Sequence, residues 1–295
     1  MKESIEEKRA RLLGLAKASL SEAYSTEEHS LIQAINAYNE TEKTRNLMHE
    51  RLEEWYSIYF PEAKISSPSV YAKFIIEFGR NKKEVEEIKL EEIFGDKKEE
   101  MKSIIERSIG REPTNEEYAA VRRIAEEELS LIELEKRLDN YIEKTTKKLI
   151  PNISYLIDYK IAAELLAKSG SLSKLAVMPA STIQLLGAEK ALFKHIKFGS
   201  RPPKYGYLFK IAPVTNASRD DRGRVARLYA AKISIAARAD AFTKNFIAPR
   251  LKEDIDKALS RERKHGKKRE YRASPSQSHG RDRGRERRFR NRGSR

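Results

Sequence analysis

Between residues 187 and 227 the chain sets positive side chains at intervals suited to gripping phosphate groups. Lys190, Lys194, His195 and Lys197 follow Gly187, Ala188 and Glu189 at spacings that put several of them on one helical face. Arg201 and Lys204 bracket Pro202 and Pro203, a stiff pair that holds both cations in place at little further entropic cost. Arg219, Arg222, Arg224 and Arg227 open the next helical run. Taken singly, each fits an ordinary solvated helix face. As a set, cations clustered at loop–helix junctions are the residue types that contact nucleic-acid backbones.

No other constellation has the spacing of a catalyst. The chain has no cysteine, which excludes disulfide scaffolds, thiol nucleophiles, zinc ribbons and iron–sulfur clusters. Its five histidines (His29, His49, His195, His265, His279) share no metal-ligand spacing and have no triad partner. No glycine-rich phosphate loop occurs. The adjacent Asp220 and Asp221, flanked by Arg219 and Arg222, read as a helix cap or ion pair, because neighbouring side chains face different ways. The chain is therefore expected to use no cofactor or metal and not to be an enzyme.

The charge distribution supports a polyanionic partner. The 295 residues carry a net charge of +15, unevenly placed. Residues 1–150 hold 26 basic and 32 acidic side chains, residues 151–250 hold 17 and 6, and residues 260–295 hold 15 and 4. A mildly acidic half suits protein or solvent contacts, whereas the two basic blocks suit a polyanion held by counterion release. The apolar runs are too short to span a membrane, and the opening MKESIEEKRARLLGLAKA lacks the apolar core of a secretory signal, so an intracellular protein with no membrane partner is expected.

The elements that must position these groups are helices. Residues 1–25 read as an amphipathic helix. Leu31, Ile35, Tyr38, Met48, Leu52, Trp55 and Tyr59 recur at three- and four-residue steps without Gly or Pro, predicting a long helix over 26–59 that Pro61 ends. A second is predicted over 114–150, from the start signal Pro113-Thr114-Asn115-Glu116-Glu117 to Pro151. Each would be about 50 Å long, and helices so long and so polar need each other, which predicts an antiparallel coiled coil over 26–150. Glu128 and Glu135 fall in its seam, facing the region of Lys43 and Arg45. A tip insert over 62–112 holds so many apolar residues that a second copy of the chain is expected to cover part of them, giving a homodimer. Residues 151–250 form a compact helical domain whose last helix has an Ala-rich packing face (Ala226, Ala230, Ala231, Ala236, Ala237), and 251–295 read as a disordered basic tail opened by a short helix. The fold class expected is all-α throughout.

Three strings in the basic block, SGSLSKLAVMPASTIQLLGAEKALFKHI, GSRPPKYGYLF and RDDRGRVARLYAAKISIAARADAF, resemble the signature of the Nop domain in order and spacing. The run Gly187-Ala188-Glu189-Lys190 with Ala191-Leu192-Phe193-Lys194 is the most specific part. Upstream, LIQAINAYNETEKTRNLMHERLEEWYSIYFPE resembles the first coiled-coil helix of archaeal relatives of nucleolar scaffold proteins. The resemblance implies a scaffold of box C/D small ribonucleoproteins, in which guide RNA directs ribose 2′-O-methylation of ribosomal RNA. It implies recognition of a kink-turn RNA already held by a ribosomal-protein-like primary binder, with Gly187, Ala188, Glu189, Lys190, Lys194 and His195 approaching both and Arg201, Lys204 and Arg222 clamping the backbone. It also implies a partner, the methyltransferase fibrillarin, and an archaeal cytoplasmic setting. Family members usually carry an N-terminal α/β docking domain that the first 25 residues do not supply, so fibrillarin is expected to meet the segment Ile5 to Tyr24, a separate polypeptide, or not this chain. Two alternatives stay open: another kink-turn particle such as the spliceosomal relative's, and a coiled-coil protein with unspecific affinity for nucleic acid.

Overall fold

The structure, a computed structural model, describes residues 4–78 and 87–270, and among these every regular element is helical. In chain order the helices are α1 (Ile5–Tyr24), α2 (Glu28–Tyr56), α3 (Pro68–Phe78), α4 (Glu87–Phe94), α5 (Lys98–Glu106), α6 (Asn115–Leu149), α7 (Pro151–Leu156), α8 (Tyr159–Ser169), α9 (Leu172–Val177), α10 (Ala180–Leu185), α11 (Glu189–Phe198), α12 (Ala212–Thr215), α13 (Arg222–Arg238) and α14 (Ala248–Glu270).

The long pair forms where the periodicity places it. α6 starts at a capping box: the Thr114 hydroxyl accepts from the Glu117 amide (3.3 Å), and the Glu117 carboxylate accepts from the Thr114 amide (2.8 Å). α2 and α6 run antiparallel, since Glu27 pairs with Lys148, Arg45 with Glu135 and His49 with Glu128, rising numbers on one against falling numbers on the other. Glu135 meets Arg45 at 2.7 Å, as the seam register anticipates. Glu128 instead meets His49, at 2.9 Å, because it sits two turns nearer the tip than Glu135. Glu128 is fully buried, and burial raises its carboxyl to about 7 against the opposing charge of Arg45.

Apolar burial gathers at the two ends of this pair. At the tip, Leu52, Tyr56, Tyr59 and Phe60 pack with Tyr71, Phe74 and Ile75 of α3, Leu90, Met101 and Ile105, and Val121 and Ala125 of α6. Part of the insert's apolar surface is thus buried by the chain itself, because α3 folds back along α6 in a way no local pattern displays. Ile58 and Ile109 stay exposed there. Residues 79–86 of the insert lie outside the described residues.

At the other end Leu31, Ile32 and Ile35 of α2 and Ile142 of α6 join a larger core built by α7 to α10 and α12 to α14. Its central helix is α13, which buries Val225, Ala226, Tyr229, Ala230, Ile233, Ala236 and Ala237. The small side chains let neighbouring helices approach closely, as the Ala-rich face predicts, with Ala231 only half-buried. Lys160 ties three helices together by donating to the Tyr38 hydroxyl (3.0 Å) and pairing with Asp139 (2.9 Å).

The termini differ from one another. α1 forms as its composition predicts, yet Leu12, Leu13, Leu15 and Leu20 all face solvent. α14 extends to Glu270, well past the short helix expected, because the segment after Pro249 is rich in the helix formers Lys, Arg and Glu and carries the i,i+4 pair Glu253–Lys257. The remainder of the expected disordered tail, residues 271–295, lies outside the described residues.

Candidate nucleic-acid interface

α11 stands on the core by its base alone: none of its residues is buried. A helix that buries nothing gains little from its own packing, so its orientation must be set at its root. Gly187 adopts a left-handed conformation (φ 87°), and a Cβ there would lie 2.7 Å from the Tyr207 ring. A Cβ on Gly206 would lie 1.8 Å from the Leu186 carbonyl oxygen. The two strands of the root are laced together, the Gly206 amide donating to the Gln184 carbonyl (3.0 Å) and the Tyr207 amide to that of Leu186 (2.8 Å). Only glycine at both positions permits that approach.

The expected cations divide into presented and engaged groups. Lys190, Lys194 and Lys197 of α11 are exposed, and so are Arg201, Pro202 and Lys204 in the following loop, with Pro203 half-buried. The loop is anchored from beneath: the buried Gln184 side chain donates to the Lys204 carbonyl (2.6 Å), and the aliphatic stem of Lys204 lies over Gly223 at the start of α13. Arg219 is exposed as well.

The other candidates are committed to the fold. Arg222, expected to clamp an RNA backbone, is half-buried and donates to the carbonyls of Ala217 and Thr215 (both 3.1 Å) while stacking over Phe209. It buttresses the loop before α13, and long-range carbonyls of this kind leave no trace in residue spacing. Arg224 pairs with Asp221 (2.7 Å), which also accepts from the Ser218 hydroxyl, so Asp221 takes the ion-pair role read for it. Glu189 accepts from the Gly187 amide (2.9 Å) and pairs with Lys168; although desolvation opposes it, these contacts hold its carboxyl below the usual range. The His195 ring contacts the Ser200 carbonyl and closes the turn at Gly199, itself left-handed (φ 64°). Ala188 occupies the N-cap position of α11.

Two features of the site escaped the residue-type reading. Phe193, Ile196 and Phe198 on α11 are each about 70% exposed, at 70%, 70% and 71%. In space they stand beside the lysines, on a surface that none of the described residues buries. Gln184, inside an apolar run, is the loop's anchor, and its only signal was a lone amide among leucines. Among the described residues no cluster of His, Asp and Glu could hold a metal ion. What the arrangement can do is present a rigid ridge of lysines, a guanidinium and uncovered aromatic rings, a composition suited to a surface made jointly of phosphate and protein.

Comparison with known proteins agrees in location. A family model described as Nop, snoRNA binding domain, fibrillarin, matches residues 37–261. A NOP5 family protein of Methanocaldococcus jannaschii is 37% identical over 251 residues, covering 83% of this chain and 59% of that protein. Nucleolar protein 58 of Saccharomyces cerevisiae is 38% identical over 245 residues, covering 78% of this chain and 48% of its own length. The chain thus spans about half the length of the curated relatives it matches. A solved structure described as a fibrillarin/Nop5p complex resembles the fold with a TM-score of 0.51 at 21% identity, over 86% of this chain and 76% of that one.

Proposed function

This chain belongs to the Nop family, and from that premise we propose that it is an RNA-binding scaffold of a box C/D ribonucleoprotein, recognising a kink-turn RNA together with the ribosomal-protein-like partner that bends it. The observation that carries the proposal is the α11 ridge. Lys190, Lys194, Arg201 and Lys204 face outward from a root fixed by Gly187, Gly206 and Gln184, while Phe193 and Ile196 wait uncovered beside them. A purely electrostatic RNA binder has no use for uncovered phenylalanines; a composite RNA–protein surface does. In this reading Arg219 adds a phosphate contact, and Arg222, Arg224, Glu189 and His195 hold the geometry.

The chain supplies no catalytic group of its own in this role. Methylation of ribosomal RNA is carried out by fibrillarin, and the exposed leucines of α1 support a contact with it. A homodimer fits the exposed Ile58 and Ile109 at the tip, and the setting proposed is the cytoplasm of an archaeon. Among the described residues no helix is long and apolar enough to cross a membrane.

Gel-shift titration tests the proposal. Naked kink-turn RNA should bind weakly, and the same RNA preassembled with its primary binder should bind tightly. Equal affinity for duplex DNA would contradict it. Pull-down of fibrillarin with the full chain, and with residues 1–25 removed, tests the α1 contact: loss on removal supports it and unchanged capture refutes it.

A further inference from the structure

A second cluster of uncovered aromatic rings lies outside the α11 ridge, around the turn between α13 and α14. After α13 a wide turn over Ala239–Thr243 leads to Lys244, the one non-glycine residue among those described with a left-handed backbone (φ 58°). Such a conformation persists only where the surroundings over-determine it. Here they do so through two fully buried polar side chains. Asp240 accepts from the amides of Asn152 and Ile153 (both 3.1 Å) and from the Asn152 side chain (2.7 Å). Asn152 in turn donates to the Asn245 carbonyl (2.9 Å) and accepts from the amides of Ile247 (2.7 Å) and Ala248 (2.9 Å). The backbone on both sides of Phe246 is clamped, yet the Phe246 ring itself is 56% exposed.

Phe246 meets the Tyr155 ring edge to face at 5.6 Å, and Phe242, four residues earlier in the chain, is exposed too. Tyr155 also lines a cleft of about 620 Å³ between α2 and the core, which holds Lys252 of α14. The loop is rigid, so its rings are displayed at little further entropic cost. The cleft is lined by Lys160, Lys210 and Lys252 and by Glu42, Asp158 and Glu164, of which Asp158 and Glu164 are engaged by the Lys160 amide and the Lys210 ammonium; Lys244 and Arg250, close to Phe246 in the chain, are exposed.

We propose that the Tyr155–Phe246 pair is a stacking platform for unpaired RNA bases, with Lys252 placed to meet the adjoining phosphate. The proposal rests on the RNA-scaffold reading above and extends it to a single-stranded segment that the α11 ridge does not contact. Aromatic faces beside cations are the combination that holds single strands without regard to sequence.

The test uses the full chain and two hairpin RNAs, one carrying a single-stranded arm with 4-thiouridine and one without an arm. The armed hairpin should photo-crosslink to the peptides containing Tyr155 and Phe246. The variants Phe246→Leu and Tyr155→Leu keep apolar bulk, remove the ring and touch none of the clamp. Together they should weaken armed-hairpin binding by at least about fivefold and leave the armless hairpin unaffected; Phe246→Leu alone, checked for an unchanged melting temperature, should do so to a smaller degree. Unchanged affinity for the armed hairpin, or crosslinks confined to α11 and the region after Ser260, would overturn the proposal, as would variants that lose a protein partner while armed-hairpin binding stays intact. If the native chain binds neither hairpin, the scaffold reading falls along with it; if it binds both equally and the leucine variants change nothing, only the platform falls.

Discussion

Helices α11 and α13 both read in sequence as cation-bearing amphipathic helices, and in space they do opposite things. α13 buries eight of its residues, including Ile233 and five alanines or valines around it, at the centre of the larger core. α11 buries none, and turns Phe193, Ile196 and Phe198 to solvent beside its lysines. Periodicity alone cannot separate the two, because it reports that one face is apolar and says nothing of what covers that face. The difference teaches that one helix builds the core while the other stands clear of it, at a root of two glycines and a glutamine, and in the proposed function recognition falls to the second. A surface that contributes nothing to folding is free to be shaped for a partner.

The sharpest way to break this division is to truncate each side in turn. Ile233→Ala removes a fully buried side chain and should lower unfolding stability by about 2–5 kcal/mol in a denaturant titration. If it costs no more than an exposed substitution, α13 is not the structural helix. Gly206→Ala tests the joint between the two regions. With a Cβ 1.8 Å from the Leu186 oxygen, the root must open; the expected loss is about 1–3 kcal/mol, together with weakened assembly on the RNA–protein complex. Normal assembly by this variant would show that the ridge needs no fixed root.

The charged seam of α2 and α6 sharpens the comparison from another side, because Glu128 is an ionisable group placed in a structural position. Its folded pKa, raised to about 7, lies above the usual carboxylate value of 4.5, so the folded state binds more protons between these limits. Stability should therefore be greatest at the acid end of that window and fall as pH rises from 4.5 through about 7, by about 2–3 kcal/mol. Glu128→Gln should flatten this slope in thermal melts across the window. A slope that survives the substitution assigns it to groups other than Glu128.

The smallest effect on stability is expected on the ridge. Phe193→Ala and Ile196→Ala should change the unfolding free energy by less than about 0.5 kcal/mol, since both side chains already face water. The same pair should weaken capture of the preassembled RNA–protein complex. If instead they destabilise the fold, these side chains pack against something in the free protein and the division between the two helices fails.

Much of the architecture was legible because its signals are local. The Thr114–Glu117 capping box and Pro151 bound α6, whereas α2 ends at Tyr56, short of the Pro61 stop, and the register that pairs Arg45 with Glu135 follows from running the two strictly antiparallel. The basic ridge was legible as a charge pattern on either side of Pro202 and Pro203. What stayed hidden depends on contacts between residues far apart in the chain. The aromatic core at the tip forms because α3 folds back along α6, and only that return shows that one chain can bury Phe74 and Met101. Arg222 and Arg201 look alike as isolated cations, but one reaches two carbonyls of the preceding loop and the other reaches solvent. The same holds for Asn152 and Asp240, ordinary polar residues in sequence that together clamp a loop.

The central claim is that an outward cationic ridge recognises bent RNA jointly with the protein that bends it. Its most direct test is the binding of Lys190→Ala/Arg201→Ala to the preassembled kink-turn complex as a function of salt. Weaker binding is expected, with the melting temperature unchanged and the salt slope reduced by about one for each phosphate that is no longer neutralised. An unaltered affinity and slope in a folded double variant would contradict it.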